Sequence, residues 1–103
     1  MNMNYGKMMK QMQKMQADMG RIQDELAEQT IEATAGGGAV KAVVNGKQEL
    51  ISIEIKPEAA DPEEVDLLQD MVLAAVNEAM RQAQELAAKK MGALTGGMGL
   101  PGF

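Results

Sequence analysis

From Tyr5 to Leu26 the apolar residues Tyr5, Met8, Met12, Met15, Met19, Ile22 and Leu26 recur at alternating spacings of three and four. An α-helix turns about every 3.6 residues, so this pattern predicts a long helix over about 4–29 with one adhesive seam. The seam lasts only about three heptads, and methionine is a flexible, weakly specifying core residue. A helix packed on a sheet or on a partner's helix therefore fits better than a free coiled coil, and the methionine stripe reads as packing surface.

Beyond residue 30 the period falls to two. Thr30 to Ala35, Val40 to Asn45 and Lys47 to Lys56 predict three strands within about 30–56, with Ile31, Ala33 and Ala35 alternating in the first and Ile51, Ile53 and Ile55 in the third. Gly36-Gly37-Gly38 separates the first two, and Asn45-Gly46 is a favoured two-residue hairpin loop because both positions tolerate positive φ. That loop would pair Val44 with Lys47, Ala42 with Glu49 and Val40 with Ile51. One face would then carry Val40, Ala42, Val44, Ile51, Ile53 and Ile55 and meet a helix. The other would carry Lys41, Val43, Leu50, Ser52 and Glu54, where Val43 and Leu50 form an apolar pair that water would not need. Together with Met12, Met15 and Met19, that pair is the expected dimer interface, the free edge strand being the alternative surface.

Asp61-Pro62-Glu63-Glu64 supplies an N-cap, a proline at the first helical position and a Glu at N3; Lys89, Lys90 and Gly92 supply the matching stop. A second helix is expected over 62–91, with Val65, Leu68, Met71, Val72, Ala75, Val76, Ala79, Ala83 and Leu86 in a broad apolar stripe whose alanines allow close packing. The expected architecture is α+β: helix, three-stranded antiparallel meander, helix, as a dimer. Residues 1–91 would form the single domain and residues 92–103 a flexible glycine-rich tail.

The chain of 103 residues has no cysteine and no histidine. That excludes disulfides, thiolate or imidazole metal sites and every nucleophile-base pair built on those side chains. No run approaches the roughly 18 apolar residues of a membrane span, and a cytoplasmic protein is expected. The three glycines lack the Gly-Lys-Ser/Thr continuation of a phosphate loop. The acids Glu58, Asp61, Glu63, Glu64, Asp66 and Asp70 lack the spacing of a calcium loop and read as a solvated face. No cofactor, metal, small-molecule substrate or enzymatic activity is expected.

Net charge is -5, but it is unevenly spread. Residues 1–17 hold three lysines and no acid, whereas residues 57–88 hold one Arg and eight acids. Local patches decide affinity for a polyanion. Lys7, Lys10, Lys14 and Arg21 occupy heptad positions c, f, c and c, on the far side of the helix from the seam. A solvated face is the bland reading. Yet lysines in the first turns of a helix oppose its macrodipole by about 0.3–1 kcal/mol each, so helix stability did not select this arrangement. A second cluster, Arg81, Lys89 and Lys90, ends the second helix. No aromatic residue is interleaved for stacking on single strands, so these cations address duplex phosphates with little sequence readout. The alternative is a protein-interaction module that docks a partner helix through the methionine seam.

Specific words then resemble the YbaB/EbfC family: Met8-Met9-Lys10-Gln11-Met12-Gln13-Lys14-Met15-Gln16, Ala35-Gly36-Gly37-Gly38-Ala39-Val40-Lys41, Asn45-Gly46 and Ile53-Glu54-Ile55. The likeness continues through Leu68 to Ala79 and the glycine-rich end at Leu100-Pro101-Gly102-Phe103, with Gln69 and Glu78 departing from the expected Asp or Glu and Asp. The resemblance implies a homodimeric, nucleoid-associated protein that binds DNA with limited sequence specificity, alters its conformation and influences gene expression. It carries no invariant contact motif, so the residue expectations rest on charge geometry.

Overall fold

The structure, a computed structural model, describes residues 5–96. Its order is α1 (Tyr5–Glu28), β1 (Thr30–Ala35), β2 (Val40–Asn45), β3 (Leu50–Ile55), two 3-10 turns at Pro57–Ala59 and Pro62–Glu64, and α2 (Val65–Gly96). The strands form one antiparallel sheet in the order β1-β2-β3. This is the expected α+β arrangement.

α2 lies across β1 and β2. Ala75, Ala79 and Ala83 recur every four residues on one helical face and are fully buried against Val40, Ala42 and Val44. A side chain of one carbon lets the helix backbone approach the pleated sheet, so the core is close-packed with small volumes. Asp61 caps the entry, its carboxylate accepting from Glu63 N at 2.9 Å, and Pro62 fills the first position of the 3-10 turn that leads into α2. The glycine run turns with three successive positive φ values, 63°, 67° and 94°.

Three expectations need correction. The β2–β3 loop is not a two-residue turn. Asn45 is the last residue of β2, and its Oδ1 accepts from the backbone N–H groups of Lys47 and Glu49 at 2.9 and 3.0 Å, wrapping a longer loop around one side chain. Gln48, with φ 62°, takes the left-handed position instead of Asn45 or Gly46. Gly46 is used for closeness: its N–H donates to Leu26 O at 2.8 Å, and a Cβ there would stand 2.8 Å from that same oxygen.

The register moves accordingly. Val40 pairs with Ile55, Ala42 with Ile53, Val43 with Ser52 and Val44 with Leu50, with an irregularity at Val43/Val44. Val43 and Leu50 therefore do not make the apolar pair expected on the outer face. That face is polar instead: Lys41 reaches Glu32 at 3.4 Å and Glu54 at 3.2 Å across all three strands. These two carboxylates, Glu54 first, raise the pKa of Lys41 above the ordinary lysine value.

Finally, Gly92 does not stop the second helix. α2 runs to Gly96, and Ala93 and Leu94 lie beside α1, so tertiary contact outweighs the local stop signal. Residues 92–96 of the expected tail are thus helical, and the rest of it lies outside the described residues.

Candidate nucleic-acid interface

Ile22 and Leu26 are buried near the C-terminal end of α1, which touches the β2–β3 loop through the Leu26 carbonyl. Towards its N-terminus the helix leaves the core. Lys90, Ala93 and Leu94 at the end of α2 line a cleft of about 750 Å³ together with residues of α1 from Gln11 to Glu25. The two helices thus leave the sheet in the same direction, giving a molecule with extents of 75 × 26 × 16 Å.

The seam expected to be buried is largely solvated. Tyr5 is 79% exposed and Met12 61%; Met8 and Met19 are exposed too, and Met15 is half-buried in the cleft. α1 packs through a face shifted to one side of the stripe, where the seam residues Met15, Ile22 and Leu26 are joined by Asp18 and Glu25. The turns of α1 that precede Gln11 lie outside the cleft.

This shift also changes the setting of the basic residues. Lys14, Arg21 and Lys90 all line the cleft, with Asp18 and Glu25 between them. Glu25 links the two helices: one carboxylate oxygen accepts from Lys90 at 3.2 Å and the other from Arg21 at 2.9 Å. Lys90, then Arg21, hold the Glu25 carboxyl below its ordinary pKa. Arg21 also stands 3.9 Å from Asp18. Arg81 lies outside the cleft on α2, clamped by Glu78 at 2.6 Å and Glu85 at 2.7 Å. Arg81, with Gln82 second, pulls the Glu78 pKa down to about 2.

The seven residues expected to meet DNA therefore fall into two groups. Arg21, Arg81 and Lys90 are held by the chain's own carboxylates. Lys7, Lys10, Lys14 and Lys89 are exposed and take part in none of the ion pairs found among the described residues. Lys7 and Lys14 are two turns apart on α1, roughly 10 Å along its axis, a span over which duplex DNA carries about six phosphate charges. Their helix carries no acid in its first turn. The acids Asp66 and Asp70 lie near the other end of α2, roughly 30 Å along the helix from Lys89. The cleft and the Glu25 link were not visible in the sequence, because both depend on how far α2 continues and on the rotation of α1. Lys47 and Lys56, also exposed and in none of these ion pairs, were not anticipated and stand apart from the α1 cluster.

No helix among the described residues is long and apolar enough to cross a membrane. The same residues contain no cluster of three or more acidic ligands placed to hold a metal ion.

The likeness to known proteins extends over the chain. A nucleoid-associated protein of Pelotomaculum thermopropionicum is 62% identical over 100 residues, covering 97% of this chain and 95% of the relative. One of Alkaliphilus metalliredigens is 60% identical, covering 97% and 88%. An uncharacterized Helicobacter pylori protein of solved structure shares the fold with a TM-score of 0.83 at 17% identity, over 91% of this chain and 99% of that one. The model of the YbaB/EbfC DNA-binding family matches residues 1–98, and the chain belongs to that family.

Proposed function

We propose that this protein is a nucleoid-associated, homodimeric DNA-binding protein that grips duplex phosphates with limited sequence readout and so shapes the DNA it binds. The observation that carries the residue assignment is the set of exposed lysines on α1, Lys7 and Lys10 on the turns before the cleft and Lys14 lining it, none of which has a carboxylate partner among the described residues. Lys89, at the neighbouring end of α2, adds a fourth cation. Lysine ammonium groups are point charges suited to phosphate oxygens, and they carry no base code. Arg21, Arg81 and Lys90 play a different part in this reading: they stay with Glu25, Glu78 and Glu85 and hold the helices in shape. The membership of a DNA-binding family supports a binding role over catalysis, and nothing in the relatives' names supports the interaction-module alternative.

The test is fluorescence anisotropy of a labelled duplex titrated at several salt concentrations. A dimer that neutralises about six to eight phosphates gives a slope of log affinity against log salt of roughly -5 to -7. Duplexes of unrelated sequence should bind within about tenfold of one another, since only phosphates are read. No binding at low salt would refute the proposal.

A further inference from the structure

We infer that Glu25 limits the grip on DNA: standing in for a phosphate, it withholds Arg21 and Lys90 from the duplex. This rests on the reading of Lys7, Lys10 and Lys14 as phosphate contacts and adds the residue that sets the strength of binding. Lys7, Lys14 and Arg21 recur every seven residues on α1, a row roughly 21 Å long on one side of the helix. Lys7 and Lys10 stand on the N-terminal arm of α1, Lys14 and Arg21 line the cleft, and Lys90 lines its other wall from α2. The cations thus continue from the arm into the cleft, but there Arg21 and Lys90 are taken by Glu25.

The chemistry of this contact is that of a phosphate. A phosphodiester offers two non-bridging oxygens that share one negative charge, and so does a carboxylate. Glu25 uses its two oxygens separately: Oε1 accepts from Arg21 Nη1 at 2.9 Å and Oε2 from Lys90 Nζ at 3.2 Å. Its carboxyl is held below the ordinary pKa, first by Lys90, so it is charged at neutral pH. Asp18, 3.9 Å from Arg21, adds a second negative charge to the same wall. A phosphate entering here must displace a carboxylate of like charge and leaves that carboxylate to be neutralised from solution. The exchange therefore lacks the counterion release that drives contacts between free lysines and phosphates.

Placement separates Glu25 from the other acids that hold an arginine. Arg81 is closed off by three hydrogen bonds, two to Glu78 at 2.6 and 3.1 Å and one to Glu85 at 2.7 Å, and it lies outside the cleft. Among the ion pairs of the described residues, only that of Lys90 with Glu25 joins the two helices. The Arg21 side chain is 60% exposed and that of Glu25 40%, so solvent reaches both. Removing the Glu25 charge frees one cation on each helix, and both line the same cleft as Lys14.

Fluorescence anisotropy of a labelled duplex, titrated with the full chain at several salt concentrations, tests the inference. Glu25→Gln should bind more tightly at low salt and steepen the slope of log affinity against log salt by about 0.9 for each phosphate newly held. With two such phosphates, the gain over wild type should shrink roughly tenfold as salt rises fourfold. Adding Arg21→Gln and Lys90→Gln should return the slope to that of wild type. Glu58→Gln removes the same charge from an exposed residue in no ion pair among the described residues, and should leave the slope unchanged. A wild-type slope in Glu25→Gln, or an equal steepening in Glu58→Gln, would overturn the inference and leave the lysine contacts standing. Failure of the wild type itself to bind at low salt would overturn the phosphate reading and this inference with it. Should Glu25→Gln lose its helical circular dichroism, Arg21→Gln and Lys90→Gln with Glu25 in place decide. As withheld cations each should flatten the slope less than Lys14→Gln does, and an equal flattening would overturn the inference.

Discussion

The two helices carry apolar stripes of opposite character and opposite fate. In α2 the buried positions are the smallest side chains, Ala75, Ala79 and Ala83, while in α1 the large Tyr5, Met8 and Met12 stand in water. Burial in this molecule follows what lies opposite each residue, since side-chain size and hydropathy alone would rank the helices the other way. α2 has a sheet across from it, and its alanines are the means of close approach. Among the described residues nothing lines a cleft with the N-terminal end of α1, since the cleft shared with α2 begins only at Gln11.

The largest effect should come from enlarging the buried stripe. Ala79→Leu forces a branched side chain between helix and sheet and should destabilise by about 1–3 kcal/mol or more. Met12→Ala on the arm should change stability by no more than about 0.5 kcal/mol. Urea denaturation read by circular dichroism separates the two; equal costs would break the comparison.

Next in size is the junction where α1 meets the sheet. Gly46→Ala would drive a methyl into the Leu26 backbone and should cost about 1–3 kcal/mol by the same measurement. Gly20→Ala, with open space around it in mid-helix, should instead stabilise by about 0.5–1 kcal/mol. Reduced stability on substitution at Gly20 would mean that the solvated part of α1 is more constrained than its exposure indicates.

The smallest effect is a pH dependence from the carboxylates that hold the basic residues. Glu78 has its pKa lowered to about 2 from an ordinary 4.5, chiefly by Arg81. A depressed carboxyl pKa contributes stability above the unfolded value and loses it as pH falls towards the folded one. The difference in urea midpoint between wild type and Glu78→Gln should therefore be constant above pH 4.5 and shrink between there and about 2. Glu25→Gln should behave alike, chiefly because the charge of Lys90 is then left without its carboxylate. Both pairs are solvent-exposed, so the shifts will be small and reduced by salt.

Much of the fold was legible in the chain because local signals and global structure agreed. The change from helical to alternating period at residue 30, the glycine run and the Asp61-Pro62 entry each act within a few residues. The β2–β3 register was not legible because Asn45-Gly46 satisfies two rules at once. As a dipeptide it fits a tight hairpin, but in the molecule Gly46 is needed against Leu26 and Asn45 organises a longer loop with its own side chain. The end of α2 was hidden for a related reason, since Gly92 is a stop only when no neighbouring helix favours continuation. For the site, the sequence located the lysines but not their partners. Arg21 and Lys90 are far apart in the chain, and only the fold brings both to Glu25.

The proposed function assigns the phosphate contacts to Lys7, Lys10 and Lys14 of α1, which take part in no ion pair among the described residues. Its most direct test compares the salt dependence of duplex binding by the wild type with that of Lys7→Gln, Lys10→Gln and Lys14→Gln combined. The variant should remain folded and dimeric, bind more weakly to every duplex and show a clearly flatter slope, by about one unit for each phosphate no longer neutralised. An unchanged slope and affinity would contradict the claim and remove the arm from the binding surface.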